Sequence, residues 1–266
     1  MKHSFTELFI ISMAAVLLSS CSKEHNVGDG YLEKPTVNAV VFKAAGDSAG
    51  IVNKLNEFRV FAGDPVNGAP GATTGRREVN WDGVPQALTN SNNFPFNFFG
   101  SAEPADANGR KRGLITTPTS TSFRVDSSDF ASVDASYASQ FEAFSRKKLF
   151  ADMGNTVTEV TFKVAGTTTN AFVKGFAVIF SDVDVVNSTT VQFFNGTKSL
   201  GVYTAPVASQ GFSFVGVGFP DEKVTKVKIT SGNGLLAPGI KDISNGGNKD
   251  LVVMDDFLYS EPQPAQ

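Results

Sequence analysis

Apolar and polar residues alternate with a period of two along much of this chain, and this pattern constrains the fold more than any other feature. Residues 158–164 read TEVTFKV, so that valine and phenylalanine alternate with glutamate, threonine and lysine. Successive side chains of a β-strand point to opposite faces, whereas those of an α-helix return to one face about every 3.6 residues. The segment is therefore predicted to be a strand with one buried face.

Further short segments have the composition of strands and are separated by Gly, Pro and Asp. Residues 175–182 (GFAVIFSD) are apolar on both faces, as in a central strand. Residues 190–194 and 200–204 flank Asn195-Gly196, a dipeptide that accepts positive φ and predicts a tight hairpin. Three more strands are expected at 212–219, 224–230 and 251–259. The regular spacing predicts an all-β fold, a jelly-roll-like β-sandwich.

One or two short helices are expected beside these strands. Between Ser48 and Phe58, apolar residues recur at helical spacing after a serine that can cap the first turn. A second helical turn is predicted within residues 138–150. The stretches 64–75 and 96–113 are rich in Gly, Pro, Asn and Ala and are predicted to be loops.

The N-terminal residues are organised like a bacterial lipoprotein signal. A short polar start precedes an apolar run of about ten residues, which is too short to span a bilayer and has the length of a secretory signal core. Residues 18–21 (LSSC) resemble a lipobox, in which the cysteine is acylated and becomes the new N-terminus. The alternative is a plain cleaved signal. We expect Cys21 to carry lipid that anchors the protein to the membrane without spanning it.

The sequence divides into a signal, a tether, one domain and a tail. We predict a signal peptide at 1–20, a flexible tether at 21–35, a single β-sandwich domain at 36–262 and a disordered tail at 263–266. The SKE sequence after Cys21 resembles short signals that send some bacterial lipoproteins to the outer face of the outer membrane. A solvated linker is the alternative. The expected location is the cell envelope, at the outer membrane, and both its periplasmic and its external face stay open.

Charge and residue types exclude several classes of function. The formal net charge is -3, so no basic surplus exists to neutralise phosphates, and nucleic acid is not an expected partner. Of the two histidines, His3 lies in the signal and His25 in the tether. With Cys21 acylated, the predicted domain lacks the base of a Ser-His-Asp or Cys-His catalytic system and the usual ligands of zinc.

Two chemistries that need only carboxylates remain, calcium binding and glycoside hydrolysis. Asp182 and Asp184 would point to one side of a continuing strand and can converge on one cation. The alternative places them in an ordinary turn. The adjacent Asp255 and Asp256 would face opposite ways, so that at most one points inward, where it needs a partner. Calcium is the one cofactor that we expect.

Residues 75–85 (GRREVNWDGVP) hold the single tryptophan and form the candidate ligand site. In one interpretation Trp81 is a stacking platform for a sugar. The hydroxyls of that sugar would then bond to Asp82, Arg76 and Glu78. In the other, Trp81 packs in a core supplied by 24 phenylalanines, Glu78 lies between basic neighbours on the surface, and Asp82 belongs to a turn.

The same segment bears on hydrolysis. On an extended strand Glu78 and Asp82 lie roughly 13 Å apart at about 3.3 Å per residue. Paired glycosidase carboxyls lie about 5 to 9.5 Å apart. An enzyme is therefore not expected.

Several segments of the chain resemble an uncharacterised domain of secreted bacterial proteins, many of which carry a PEP-CTERM sorting tail. In order, they are GRREVNWDGVP, FEAFSRKKLF, GNTVTEVTFKVAGT, GFAVIFSDVDVVNSTTVQFFN, KVKITSGNGLL and DLVVMDDFLYSEP. The resemblance covers roughly residues 40–262 and implies no activity, because that family is defined by sequence alone. The last segment is also similar to the closing strand of jelly-roll carbohydrate-binding modules, whose aspartate often helps to ligate a structural calcium. The chain lacks the sorted relatives' apolar tail, which leaves the N-terminal lipid as the expected anchor.

These observations predict a lipid-anchored, non-enzymatic binding or adhesion module of the cell envelope or surface. The expected ligand or partner is a glycan or an envelope protein, and calcium is expected to stabilise the fold. Because this function rests on analogy between folds, two alternatives stay open. One is a structural envelope protein without a small ligand, and the other is a carboxylate-dependent glycoside hydrolase. The sequence does not predict the oligomeric state.

Overall fold

The computed structural model of the chain describes residues 37–117 and 122–265. The predicted signal at 1–20, Cys21 and the tether at 21–35 lie outside the described residues, so these predictions stay as they are. Within the described ranges, no helix has the length and apolar character needed to cross a membrane.

The described residues contain one α-helix and fourteen β-strands. The helix, α1, spans Ser48–Ala62. The strands, numbered in chain order, are β1 Val40–Gly46, β2 Arg76–Val79, β3 Leu114–Thr117, β4 Phe123–Asp126, β5 Leu149–Asp152, β6 Val157–Lys163, β7 Asn170–Phe172, β8 Gly175–Val183, β9 Thr190–Asn195, β10 Lys198–Thr204, β11 Ala208–Gly218, β12 Lys226–Thr230, β13 Val253–Ser260 and β14 Gln263–Pro264. Four short 3-10 turns lie at Gln86–Leu88, Asn108–Arg110, Ala135–Ser139 and Ile243–Asn245.

The strands form two antiparallel sheets that pack together, which confirms the predicted all-β sandwich. The first sheet has the order β1-β11-β8-β13-β5-β4, and β2 also pairs with β13. The second sheet has the order β10-β9-β12-β6-β7-β14, and β3 pairs with β6. Apolar side chains of both sheets meet in the main core, among them Val178 of β8 and Val191 of β9.

Strand β8 is buried along its whole length because both of its faces are covered. Phe176, Val178 and Phe180 belong to the core between the sheets. The intervening Ala177 and Ile179 pack instead with the buried face of α1. A strand with two buried faces needs apolar residues at consecutive positions, which explains why this segment lacks alternation.

Helix α1 covers the outer face of the first sheet. Its cap is Asp47, whose side chain accepts a hydrogen bond from the backbone N–H of Gly50 at 2.8 Å, so the prediction of Ser48 as the cap is wrong by one residue. The helix ends at Gly63, which has φ of 103°. It continues past the predicted end because Ala62 adds a further buried position on the same face.

The predicted hairpin is confirmed, since Asn195 of β9 pairs with Lys198 of β10 around Gly196. The second helical turn, predicted within 138–150, is wrong in part. The chain forms a 3-10 turn at Ala135–Ser139 and then strand β5, because the apolar residues of Leu149–Asp152 pair with β4 and enter the core.

The C-terminal tail also differs from its prediction. Disorder is expected at 263–266, but β14 pairs with β7 through Gln263 and Phe172. The backbone of this short segment thus finds hydrogen-bond partners at a sheet edge, which the polar composition of the tail does not indicate.

The segment 140–148 runs across one end of the first sheet and connects two groups of acidic side chains. The backbone N–H of Glu142 donates to Ser181 Oγ of β8 at 3.0 Å. Two residues later, the N–H of Phe144 donates to Asp255 Oδ2 of β13 at 2.6 Å. These contacts fix the position of the segment relative to both strands.

Candidate metal centre and polar cleft

Three aspartates form a carboxylate cluster at the end of β8. One oxygen from each of Asp182, Asp184 and Asp242 lies within 4.8 Å of the others. Asp182 lies in β8, Asp184 follows that strand directly, and Asp242 precedes the 3-10 turn at Ile243–Asn245. The first two carboxylates lie close together, although the strand ends at Val183 and does not continue as the prediction assumed. Sequence reasoning misses Asp242, because it comes from a distant loop that no spacing rule connects to β8.

Two oxygens of this cluster are buried without a hydrogen-bond partner among the described residues. Asp182 Oδ1 accepts from the backbone N–H of Gln210 at 2.6 Å, but Asp182 Oδ2 accepts no hydrogen bond. Asp184 Oδ2 is likewise buried and accepts no hydrogen bond. By contrast, Asp242 accepts from the N–H groups of Ser244 and Leu251 at 2.8 and 2.6 Å. A buried acceptor without a partner costs about 1 to 3 kcal/mol, so this arrangement calls for a ligand.

The side chain of Gln140 adds a further buried oxygen to the cluster. It lies beside the Asp182 carboxyl and is only 4% exposed. A hydrogen bond from its amide group lowers the pKa of Asp182, whereas its buried amide oxygen has no hydrogen-bond partner in the described part of the chain. This amide oxygen could coordinate a bound cation together with the free oxygens of Asp182 and Asp184.

An irregularity in the first sheet orients Asp182. The pairing of β8 with β11 shifts register between Ala208 and Phe212, as in a β-bulge. Asp182 has φ of 68° and Gln210 has φ of 50°, a backbone conformation that is uncommon for residues other than glycine. Such bulges redirect side chains at sheet ends. Here the irregularity lets the backbone of Gln210 bond to the Asp182 carboxylate.

Burial and mutual repulsion disfavour ionisation of the cluster. Burial, followed by the negative charges of Asp184 and Asp242, raises the pKa of Asp182 to about 7. Burial and a hydrogen bond with Asp242 also raise the pKa of Asp184. A divalent cation would remove this repulsion, because it favours the charged form of each carboxyl.

A fourth aspartate supports the cluster. Asp250 is fully buried and accepts hydrogen bonds from the N–H groups of Asp184 and Val185 at 3.0 and 3.2 Å. It also accepts one from the hydroxyl of Ser188. These donors occupy both of its oxygens, so Asp250 holds the chain after β8 in place.

The other predicted metal pair, Asp255 and Asp256, has a different structure. The pairing of β13 with β8 shifts register between Met254 and Phe257, so this bulge places both carboxyls near the hydroxyl of Ser145. The prediction that they face opposite ways is therefore wrong. Among the described residues, no third carboxylate lies close enough to complete a metal-binding group with them.

The carboxyls of Asp255 and Asp256 hydrogen-bond to each other. Burial and the charge of Asp256 raise the pKa of Asp255 well above its ordinary value, and burial also raises the pKa of Asp256. The two raised pKa values follow because negative charge on both carboxyls at close range is disfavoured.

Trp81 cannot serve as the predicted sugar platform. Its side chain is 1% exposed, and its ring stacks on Phe150 with 4.2 Å between ring centroids and 6° between planes. The alternative interpretation, in which Trp81 packs in the core, is confirmed. Asp82 accepts from the backbone N–H of Lys147 at 3.2 Å and lies in a turn, as that interpretation predicts.

Glu78 and Arg76 lie at the surface end of β2, where two arginines hold the glutamate. Arg59 Nη2 and Arg76 Nε lie 2.8 and 2.7 Å from its carboxylate oxygens. Arg76 also pairs with Asp64. Burial opposes ionisation of Glu78, but the hydrogen bonds from Arg59 and Arg76 outweigh it and hold its pKa below the usual range.

A polar cleft lies beside this ion-pair group. The larger part has a volume of about 410 Å³ and is lined by Glu78, Asn80, Arg112, Ser145 and Asp256, together with Arg59, Val66, Gly68 and Phe144. A second hollow of about 210 Å³ shares Glu78, Asn80 and Arg112 with it, and its walls include Phe98, Phe99 and Pro85. Of the predicted ligand residues, Glu78 lines this cleft, whereas Arg76, Trp81 and Asp82 do not.

Comparison with known proteins adds no functional assignment. No protein-family model, curated protein sequence or solved structure matches this chain. The resemblance to the domain of PEP-CTERM-sorted proteins therefore stays a prediction.

Proposed function

We propose that this chain is a lipid-anchored, non-enzymatic binding module of the bacterial cell envelope, and that a calcium ion held by Asp182, Asp184 and Asp242 stabilises its sandwich. The observation that carries the calcium proposal is the pair of buried, unpartnered oxygens on Asp182 and Asp184 within one carboxylate cluster. The amide of Gln140 beside them supports it.

Calcium suits the donor set better than other metals do. The candidate ligands are carboxylate and amide oxygens, which hard cations prefer, and no histidine or cysteine lies in the described ranges. Calcium accepts six to eight oxygens in flexible geometry, whereas magnesium demands near-octahedral coordination and retains several waters. A mostly buried and irregular site favours the more adaptable ion.

The anchor and the location are supported by the sequence alone. The apolar run before the LSSC sequence has the length of a signal core, and Cys21 is the single cysteine. Acylation at Cys21 would attach the sandwich to the outer membrane through the segment 22–36.

The hydrogen bonds that Glu78 accepts favour a binding role over carboxylate-dependent hydrolysis. Both of its oxygens accept hydrogen bonds from arginines. Such a carboxylate is a weak base and a weak nucleophile, because its charge is already neutralised.

The calcium proposal is tested on the mature chain without its acylated cysteine, the soluble form from Ser22 to Gln266, which contains every described residue. Thermal midpoints are measured in excess calcium and in chelator, and isothermal titration measures the affinity. A cation that binds only the folded state raises the midpoint by mass action. We expect this shift in the unmodified chain and its loss in Asp184→Asn.

The matched control is Asp221→Asn, which removes the charge of an exposed aspartate that does not belong to the cluster. This variant should keep the full calcium shift. Equal midpoints in calcium and chelator for the unmodified chain, with no heat of binding, would overturn the calcium proposal.

A further inference from the structure

The cleft beside β2 has a polar part and a more apolar part. Its two hollows share Glu78, Asn80 and Arg112, so these three side chains lie where the parts meet. The larger hollow, of about 410 Å³, falls within the range of about 300 to 1,000 Å³ that is usual for small-molecule sites.

Arg112 is a cation with free hydrogen-bonding capacity at this junction. Its Nη1 donates to the backbone oxygen of Asn67 at 2.9 Å, and its Nε makes a long contact of 3.4 Å with the oxygen of Gly109. No carboxylate of the described residues forms an ion pair with it, and its Nη2 makes no hydrogen bond there. Five other arginines each pair with a carboxylate: Arg59, Arg76, Arg77, Arg110 and Arg124.

Arg112 is a cation of the cleft whose charge no carboxylate of the described residues neutralises by an ion pair. Glu78 is an acidic lining residue whose pKa is lowered, and Arg59 and Arg76 already neutralise it. Burial raises the pKa values of both Asp256 and Asp255, which disfavours negative charge on that pair. A guanidinium with free N–H groups is suited to bind one planar carboxylate through two parallel hydrogen bonds.

The remaining polar groups suit hydroxyls. The side-chain amide of Asn80 is exposed and makes no hydrogen bond within the described part, so it can both donate and accept. Asp256 and Ser145 also line the larger hollow, where the Ser145 hydroxyl donates to the Asp256 carboxyl. Phe144 in the larger hollow and Phe98 in the smaller one supply apolar wall, against which the C–H face of a ring can pack.

We propose that this cleft binds an acidic saccharide, with the carboxylate of a uronic acid on Arg112 and a ring hydroxyl on Asn80. The inference rests on the proposed function as a binding module and names its ligand class. One unpaired cation among several neutral hydrogen-bonding groups matches a monoanionic, hydroxyl-rich ligand better than a phosphate dianion or an acidic peptide.

Isothermal titration of the mature chain tests this inference with short oligomers of galacturonic, glucuronic and mannuronic acid. The methyl ester and the neutral sugar of equal length serve as matched ligands, and inorganic phosphate and a triglutamate peptide serve as competitors. We expect at least one uronic-acid oligomer to bind, its ester and neutral analogue to bind at least tenfold more weakly, and phosphate and peptide not to displace it.

Variants locate the binding. Arg112→Gln should weaken the affinity for the uronic-acid oligomer at least tenfold, and Asn80→Ala should weaken it severalfold. Lys228→Gln, which removes a cation from β12 in the other sheet, should leave it unchanged. Thermal midpoints of all variants in calcium check that the fold persists.

The inference is overturned if no oligomer binds at millimolar concentration, if esters bind equally well, if phosphate or peptide competes equally, or if Arg112→Gln retains full affinity. Its failure is separable from that of the calcium proposal, because the calcium shift of the same samples depends on a different residue cluster. An intact calcium shift without uronic-acid binding would overturn the ligand assignment alone.

Discussion

The indole Nε1 of Trp81 donates a hydrogen bond of 2.8 Å to the backbone oxygen of Asp255. This bond joins the turn after β2 to the bulge of β13, the two segments that the sequence marks separately as ligand and metal candidates. Asp255 in turn accepts from the N–H groups of Phe144 and Ser145 at 2.6 and 3.2 Å. The tryptophan therefore supports the acidic pair and the edge of the polar cleft from inside the core.

Replacing Trp81 with phenylalanine should lower the free energy of unfolding by roughly 2 to 4 kcal/mol. The smaller ring leaves part of the stack on Phe150 unfilled and removes the donor to the Asp255 oxygen. Urea unfolding followed by circular dichroism measures the change, because the variant has no tryptophan fluorescence. The calcium shift should persist, and a loss below about 0.5 kcal/mol would contradict a core role for this residue.

Side-chain periodicity explains which parts of the fold could be predicted. The alternation around β6 and the double apolar pattern of β8 follow directly from which faces are covered. The bulge at Asp255 and Asp256 could not be predicted, because one extra residue in a ladder reverses the facing of those beyond it and leaves no mark in composition. The strand at Gln263–Pro264 depends on a free sheet edge that local sequence does not reveal.

The site residues also divide into those that the sequence could predict and those that it could not. Asp182 and Asp184 are close in sequence, so they could be paired as candidates, although the irregular end of β8 that orients Asp182 could not be predicted. Asp242 and Gln140 reach the cluster from loops, and Arg112 reaches the cleft from a segment predicted only as irregular. Long-range packing decides such positions, and one sequence without relatives carries no information about it.

Glu261→Gln should destabilise the fold by about 3 kcal/mol, because it leaves the charge of Arg77 buried without its partner. The two side chains are 0% and 2% exposed, with 2.7 Å between Arg77 Nη2 and Glu261 Oε1. Urea unfolding measures the effect. Glu57→Gln, which breaks the exposed pair with Lys54, is the matched control and should cost less than about 0.5 kcal/mol. Equal effects in the two variants would refute the buried ion pair as a source of stability.

The metal-free protein should lose stability as the pH rises from about 4 to 7. In the unfolded chain Asp182 has an ordinary pKa near 3.9, whereas in the folded protein its pKa is about 7. As the pH rises, the unfolded chain therefore releases this proton first. The folded state therefore binds more protons in this window, and the stability it gains at low pH disappears as the pH rises. The raised pKa values of Asp184, Asp255 and Asp256 act in the same direction.

Denaturant midpoints of metal-free protein between pH 4.5 and 8 measure this trend. Glu78 and Asp126, whose pKa values are lowered, contribute stability that is lost only at more acidic pH, so they do not mask it. Excess calcium should flatten or reverse the slope above pH 6, because the cation binds the ionised cluster. A metal-free midpoint that rises steadily from pH 5 to 7 would contradict the assignment.

Asp182→Asn should make the metal-free protein more stable at pH 8 while it abolishes the calcium response. The unmodified carboxyl must ionise in a buried position beside Asp184 and Asp242, and raising a pKa by one corresponds to about 1.4 kcal/mol of free energy. Removing the charge should therefore raise the free energy of unfolding of the metal-free protein by roughly 1 to 3 kcal/mol.

Calorimetry in chelator and in calcium measures both effects of Asp182→Asn on one sample. The variant should unfold at the same midpoint in the two buffers, and at pH 4.5 it should gain nothing over the unmodified chain, because Asp182 is then protonated in the folded state. A variant that is less stable than the unmodified chain in chelator at pH 8 would show instead that Asp182 holds the bulge through its bond from Gln210, and that the cluster is structural without a cation.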